Sequence, residues 1–155
     1  MTNTLTASNP VDTSARKADS CVMVIFGASG DLTQRKLVPA LLNLAAAKLL
    51  PEQFAIIGFA NIQQTTESYR QTLTESIKNF ASCPVTPEML EWFLKRVYYL
   101  YGDIEDPKAF ATLKEEIAKV EKTHNTGGNH FYYLAVAPRF FGEVVRQLGA
   151  AGLAE

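Results

Sequence analysis

Residues 21–36 read CVMVIFGASGDLTQRK, and this stretch decides the fold. Its first six residues form a continuous apolar run, which is typical of a β-strand buried on both faces of a parallel sheet. A turn containing Gly27 and Gly30 follows the run directly, and a polar, basic segment comes next. A buried strand that passes through such a turn into a helix predicts the opening of an α/β domain.

The same alternation of strand and helix continues along the chain. Apolar runs predict strands at residues 21–26, 54–60, 97–101 and 131–136. Apolar residues three and four positions apart predict helices between the strands and after the last one. Each helix has one apolar stripe: Leu37, Leu41 and Leu44; Tyr69, Leu73, Ile77 and Phe80; Met89, Phe93 and Leu94; Phe110, Leu113, Ile117 and Val120; Phe141, Val144, Val145 and Leu148. This order predicts a Rossmann-type fold, a doubly wound and mostly parallel sheet that is incomplete at its C-terminal side.

Capping residues and prolines predict where the helices begin. Thr65 or Thr66, Thr86 and Asp106 can each accept a first-turn amide. Pro39 is expected to kink the first helix or to begin its main section, because proline has no N–H to donate.

Composition narrows the classes of function. The 155 residues contain 15 Lys and Arg against 16 Asp and Glu, so no overall field attracts nucleic acid or an anionic membrane. No apolar run reaches the roughly 18 residues of a membrane span. Cys21 and Cys83 have no metal-ligand spacing and indicate reduced thiols in the cytoplasm. We expect a flexible tail over residues 1–20, a single domain over 21–155, and neither a metal site nor a nucleic-acid or membrane partner.

The turn after the first strand is the candidate ligand site. Gly27 permits a tight turn, Gly30 lets a pyrophosphate approach the backbone, and amides at the helix start can donate to the anion. Ser29 could add a hydroxyl donor. The alternative is that the turn serves only as a tight connection. Asp31 is expected to cap the helix or hold the loop through amides, while Arg35 and Lys36 either face a phosphate or are solvated.

The residue after the second strand usually distinguishes NAD from NADP. An acid there binds the ribose 2′-hydroxyl, and a nearby arginine accommodates a 2′-phosphate. Asn61 stands at this position and is neither. Its amide can bond a hydroxyl or a phosphate oxygen, so residue chemistry leaves the choice of coenzyme open.

Several linked segments resemble the glucose-6-phosphate dehydrogenase family: VIFGASGDLTQRKLVPALLNL (24–44), FAIIGFA (54–60), YYLYGDIEDPKAF (98–110) and NHFYYLAVAPRFFGEVV (129–145). The resemblance implies an NADP-binding Rossmann domain, the N-terminal part of an enzyme that oxidises glucose 6-phosphate to 6-phosphogluconolactone in the pentose phosphate pathway. It also implies glucose 6-phosphate as a partner, and a homo-oligomer when the enzyme is complete.

The resemblance assigns coenzyme contacts residue by residue. They are Gly27, Ala28, Ser29, Gly30, Asp31, Leu32, Thr33 and Gln34 in the loop, Lys36 near coenzyme and substrate, Asn61, and Asp103 with Ile104 beside the adenosine half. The segment from Ala135 to Pro138 is expected to run beside the nicotinamide.

The sequence departs from the family pattern at two points, one that concerns the choice of coenzyme and one that concerns catalysis. Arginine is usual where Asn61 stands, so recognition of the 2′-phosphate is either weakened or moved to another basic residue such as Arg35. We expect NAD to be accepted alongside NADP, or preferred. The catalytic segments E-K-P and R-I-D-H-Y-L-G-K-E do not occur in the sequence, and His124 and His130 lie outside any matching context. The expectation is a truncated domain with no catalytic residue and no turnover of its own. The alternative is an NAD(P)-binding sensor or protein-interaction module without catalysis.

Overall fold

The computed structural model describes residues 18–154. Its strands are β1 (Cys21–Phe26), β2 (Phe54–Ala60), β3 (Val97–Tyr101) and β4 (His130–Leu134). Its helices are α1 (Val38–Ala46), α2 (Thr66–Phe80), α3 (Pro87–Leu94), α4 (Pro107–His124) and α5 (Phe141–Ala150). A π-helical turn, Thr33–Leu37, precedes α1, and a 3₁₀ turn, Pro138–Phe140, precedes α5.

The strands form one parallel sheet in the order β3-β2-β1-β4. The chain moves outward from β1 to β3 and then crosses back to place β4 on the other side of β1. The predicted Rossmann-type fold is confirmed. Because the direction of winding reverses between β1 and β4, their following loops diverge and leave a crevice at the carboxyl ends of the strands.

Two apolar layers hold the helices on the sheet. Side chains of β1 alternate between them, with Met23 and Ile25 in one layer and Val22, Val24 and Phe26 in the other. The first layer packs against α1, α2 and α3, and the second against α4 and α5. The sheet is therefore buried on both faces, as its continuous apolar strands predict.

The first helix has an irregular start. The Val38 amide donates to the Thr33 carbonyl, one residue farther back than in an α-helix. This widened turn ends at Leu37, two residues before Pro39, which cannot donate an amide hydrogen bond. The expectation that Pro39 begins the main section of the helix is confirmed, since it lies in the first turn of α1.

Three predicted caps are confirmed. The side chains of Thr65, Thr86 and Asp106 accept the amides of Ser68, Met89 and Lys108 respectively. These caps begin α2, α3 and α4 where the sequence places them, because each satisfies an amide that lacks an intrahelical partner.

Some boundaries and helix faces were predicted wrongly. The fourth strand spans His130–Leu134 rather than 131–136, although the Ala135 amide still donates to the Phe26 carbonyl before the chain turns away. Leu44, Phe80, Phe141 and Val145 are exposed rather than part of the buried stripes. In α1 the buried face runs through Leu41 and Leu42 toward Ala45, which places Leu44 outside it.

Most of the predicted tail, residues 1–17, lies outside the described residues. The Ala18 amide donates to the Leu49 carbonyl, and the Asn129 side chain donates to the Ser20 carbonyl. Across the described part of the chain, no helix combines the length and apolar character that crossing a bilayer requires.

Candidate functional site

A cleft of about 410 Å³ opens at the carboxyl ends of the strands. Loops following all four strands contribute to its lining: Gly27, Ser29, Gly30, Phe59, Ala60, Asn61, Gly102, Asp103, Ile104, Glu105, Ala135, Val136, Ala137 and Phe140. Its position is the one where open α/β sheets bind ligands, because loops leaving β1 and β4 in opposite directions cannot close over it.

Gly27 makes the turn after β1 possible. Its φ is +88°, in the left-handed region that side chains disfavour. A Cβ placed there would overlap the Ala135 carbonyl oxygen. Both the backbone conformation and the close approach of the β4 loop therefore require glycine.

Side chains outside the cleft bond the carbonyl oxygens of the loop. The Gly27 oxygen accepts the Thr33 hydroxyl at 3.0 Å, and the Ala28 oxygen accepts the Tyr69 hydroxyl at 2.9 Å. The Ser29 oxygen accepts the Gln34 amide at 3.3 Å. These bonds satisfy oxygens that would otherwise present negative partial charge to an anion.

The loop amides divide into two groups. Gly27 and Ala28 both donate to the Phe59 carbonyl, and Gly30 donates to Gly27. Across residues 18–154, the amides of Ser29, Asp31 and Leu32 donate to no backbone carbonyl. Like other amides at a helix start, they are available to an anion, and the helix dipole favours negative charge beside them.

The charged residues of the first helix do not line the cleft. The Asp31 carboxylate pairs with Arg35 Nε at 2.7 Å and caps no amide, so the expectation that it caps the helix or holds the loop through amides is wrong. The Arg35 guanidinium also lies 4.9 Å from the centre of the Phe80 ring. Lys36 is exposed and stands outside the lining. Arg35 pairs with Asp31 because side chains four residues apart in a helix lie on the same face.

The ends of β2 and β3 bring together one amide and two acids. Ala60 pairs with Tyr101 in register and its carbonyl accepts the Gly102 amide, so Asn61 and Asp103 follow neighbouring strands at the same edge. Asp103 Oδ1 accepts the Glu105 amide at 2.9 Å, which fixes this turn. No Lys or Arg occurs among the residues lining the cleft.

The segment after β4 forms the opposite wall. Ala135, Val136 and Ala137 line the cleft, and Phe140 from the 3₁₀ turn joins them. This wall is small and apolar beside the loop, which suits the face of a planar ring.

Six of the predicted site residues line the cleft: Gly27, Ser29, Gly30, Asn61, Asp103 and Ile104. Six do not: Ala28, Asp31, Leu32, Thr33, Gln34 and Lys36. Thr33 and the Ala28 side chain are fully buried, so they shape the loop from behind. Sequence reasoning missed Phe59, Ala60, Gly102, Glu105 and Phe140. Phe59, Ala60 and Gly102 adjoin strand ends, which was a usable signal, whereas Glu105 and Phe140 lie farther along the loops.

The histidines lie at the opposite, amino end of the sheet. His124 Nε2 is 2.7 Å from the Tyr98 hydroxyl, and burial lowers the His124 pKa, with Arg96, Lys95 and Arg70 adding to the effect. His130 Nε2 is 3.3 Å from a Glu121 oxygen. Within residues 18–154, no three His, Cys, Asp or Glu side chains gather in a way that could hold a metal ion.

Comparison with known proteins identifies a family. Residues 24–155 match the family described as "Glucose-6-phosphate dehydrogenase, NAD binding domain". The chain is 33% identical over 135 residues to glucose-6-phosphate 1-dehydrogenase of Chlamydia pneumoniae and 36% identical over 139 residues to glucose-6-phosphate 1-dehydrogenase 2 of Mycobacterium bovis. These alignments cover 87% and 90% of the chain, but only 26% and 27% of the relatives.

Solved structures agree with these sequence matches. A glucose-6-phosphate dehydrogenase in complex with its substrate glucose-6-phosphate has a TM-score of 0.76 and 29% identity to the chain. A glucose-6-phosphate 1-dehydrogenase from Mycobacterium avium has a TM-score of 0.75 and 29% identity. The chain is covered to 90% and 88% respectively, and the solved chains to 29% and 28%.

Proposed function

Because the chain belongs to the glucose-6-phosphate dehydrogenase family and matches its coenzyme-binding domain, we propose that the cleft binds the coenzyme of a glucose 6-phosphate oxidation. The pyrophosphate lies against the Ser29 amide in the cleft and reaches the amides of Asp31 and Leu32, which lie at the helix start just outside the lining. The adenosine half lies toward Asn61 and Asp103. The nicotinamide ring lies against the wall that follows β4. The single observation that carries this proposal concerns the loop between β1 and the first helix. It lies at the crevice where the direction of winding reverses, and its unpaired backbone groups are N–H donors.

The residues present suit this coenzyme. Gly30 lines the cleft and has no side chain to hold a pyrophosphate away from the backbone. The narrow apolar wall of Ala135 to Ala137 supports one ring face without competing for hydrogen bonds. When bound, the coenzyme supplies the hydride acceptor, and this domain fixes its orientation.

The chain spans about a quarter of the length of the relatives it matches. For the whole protein we propose oxidation of glucose 6-phosphate to its lactone in the pentose phosphate pathway, in the cytoplasm, by a homo-oligomer. Lys36, exposed on the first helix, would contact substrate or coenzyme there. The 155-residue chain lacks the family's catalytic histidine segment, so mixing it with glucose 6-phosphate and either coenzyme should give no reduced coenzyme. Turnover at even a percent of a typical dehydrogenase rate, about 10 per second, would contradict this.

The coenzyme is NADP by resemblance, and we propose that NAD is accepted alongside it or preferred. Asn61 brings no charge to a 2′-phosphate, and the acids Asp103 and Glu105 line the same region. Arg35, the alternative cation, is engaged by Asp31 and Phe80. A 2′-phosphate would meet carboxylates without a compensating cation from the lining, which is unfavourable.

Calorimetric titration of the chain with NAD and with NADP tests both proposals. We expect saturable binding of at least one coenzyme at a single site. If neither binds at millimolar concentration, the coenzyme role fails. If NADP binds more than about a hundredfold more tightly, a difference of about 2.7 kcal/mol, the role stands but the proposed use of NAD is discarded.

A further inference from the structure

The pyrophosphate loop is braced by two side chains that never reach the cleft. Tyr69 lies on α2, 41 residues from the Ala28 carbonyl that its hydroxyl bonds. Gln34 lies in the π-helical turn, and its amide nitrogen bonds the Ser29 carbonyl. Neither residue lines the cleft, so any effect on a bound ligand must pass through the loop backbone.

Tyr69 is held rigidly. Its side chain is 1% exposed, and the centre of its ring lies 4.9 Å from the centre of the Tyr99 ring. Gly58, in the middle of β2, makes room for it, because a Cβ there would lie 3.0 Å from the Tyr69 ring and 2.8 Å from the Ala28 Cβ. Burial raises the pKa of the phenol above its ordinary value, so Tyr69 keeps its proton and remains a hydrogen-bond donor at neutral pH.

Gln34 is held from both ends of its amide. Its oxygen accepts the hydroxyl of Ser76, a residue of α2 that is 5% exposed, at 3.1 Å. Its nitrogen then points to the Ser29 carbonyl. Through these two bonds α2 sets the orientation of the Ser29 peptide and keeps its carbonyl on Gln34. The Gly30 amide, on the other side of that peptide, donates to the Gly27 carbonyl.

A peptide unit has a donor and an acceptor on opposite sides, so fixing a carbonyl fixes the direction of the next N–H. The Ala28 carbonyl shares its peptide with the Ser29 amide, one of the amides that meets no backbone acceptor in the described chain. If the Ala28 peptide rotated, its oxygen would meet the pyrophosphate in place of an N–H. That exchange would turn an attraction into a repulsion.

We propose that Tyr69 and Gln34 are positioning residues for coenzyme binding, which hold the Ala28 and Ser29 carbonyls away from the cleft so that the loop presents the Ser29 N–H, and neither of those two oxygens, to a pyrophosphate. The inference rests on the proposed function. It assigns a role in affinity to α2, which makes no contact with the cleft.

Tyr69→Phe tests the proposal, since it removes one hydroxyl and keeps the ring. We expect the dissociation constants for NAD and NADP to rise by the same factor, about three- to tenfold, because the pyrophosphate is common to both coenzymes. Gln34→Met removes the second brace and should act in the same direction. The Gln34→Met variant therefore tests the proposal independently if Tyr69→Phe fails to fold.

Tyr132→Phe is the matched control. The Tyr132 hydroxyl donates to the Leu153 carbonyl at 2.8 Å, and Tyr132 packs in the apolar layer on the opposite face of the sheet from Tyr69. This variant should lose a comparable amount of stability in urea unfolding while both dissociation constants stay unchanged. Wild-type affinity in folded Tyr69→Phe and Gln34→Met, or equal weakening in Tyr132→Phe, would overturn the inference. Failure of the wild-type chain to bind either coenzyme would instead defeat the proposed function.

Discussion

At the scale of single residues, the structure separates those that touch the cleft from those that shape it. Gly27 and Asn61 were identified from sequence because a strand end fixes their place in a Rossmann fold. Thr33 and Gln34 were assigned to the coenzyme, yet their side chains bond loop carbonyls from behind. Sequence order places residues along the loop, but it does not reveal which side of the loop each side chain occupies.

Gly27→Ala should destabilise the chain by about 3 kcal/mol or more and abolish coenzyme binding, because it combines a positive φ with a clash against Ala135. Urea unfolding and calorimetric titration measure the two effects. Gly127→Ala is the control, since Gly127 has φ +74° but no atom within 4 Å of the position that a Cβ would take. It should cost only about 1–2 kcal/mol and leave binding intact, and equal costs at both sites would contradict the clash.

Asn61→Arg should tighten NADP binding by roughly tenfold, about 1.4 kcal/mol, and leave NAD unchanged, because a guanidinium can pair with the 2′-phosphate. Gln63→Arg adds the same charge to an exposed residue that does not line the cleft. Titrations of both variants with both coenzymes separate local pairing from general attraction. An equal gain from Gln63→Arg would show that Asn61 does not mark the 2′ position.

At the scale of helices and strands, capping chemistry and apolar runs predicted most elements correctly. The errors lie where tertiary contacts decide. Strand β4 ends early because the chain turns at Ala135, beside Gly27. The stripe of α1 passes through Leu42 and not Leu44, after a π-helical turn that periodicity does not reveal.

The end of α4 should be sensitive to acid. Burial and nearby cationic side chains lower the His124 pKa. In the unfolded chain the pKa of His124 is about 6.5, and above this pH neutral His124 contributes its full stabilisation to the fold. This contribution is lost as the pH falls toward the lower pKa that His124 has in the folded chain. When the ring is protonated both of its nitrogens donate, so His124 cannot accept a hydrogen bond from the Tyr98 hydroxyl in that form.

Replacing His124 with Gln, a neutral side chain that can still accept from Tyr98, should flatten this part of the pH dependence. Urea unfolding at about pH 7.5 and about pH 5 should show a larger loss for the wild type than for His124→Gln. Identical losses would mean that His124 does not titrate differently in the folded and unfolded chain.

At the scale of the whole molecule, the two edges of the sheet differ. On the β3 edge, Thr66 accepts the Tyr99 amide and Arg70 donates to the Val97 carbonyl, so side chains of α2 occupy the backbone groups. The β4 edge carries the exposed Phe131. The Rossmann-type fold predicted from the sequence implies this strand order, because in the usual order of that fold the fourth strand lies beside the first.

We expect the 155-residue chain to be marginally stable and to self-associate through β4, since an open apolar edge strand recruits other chains. Phe131→Lys should shift sedimentation-velocity profiles toward the monomer. Ile62→Lys, which changes a side chain of equal 53% exposure away from that edge, should not. A wild-type chain that is monodisperse and unfolds cooperatively would instead favour a self-contained coenzyme-binding module.

The central claim is that loop amides hold the diphosphate of a nicotinamide dinucleotide. The most direct measurement is an amide NMR titration of the chain with saturating NAD and NADP. We predict that Ser29, Asp31 and Leu32 show the largest shifts, while amides at the far end of the sheet, such as Asn125, stay in place. Unchanged resonances throughout residues 27–34 under saturation with both coenzymes would contradict the account.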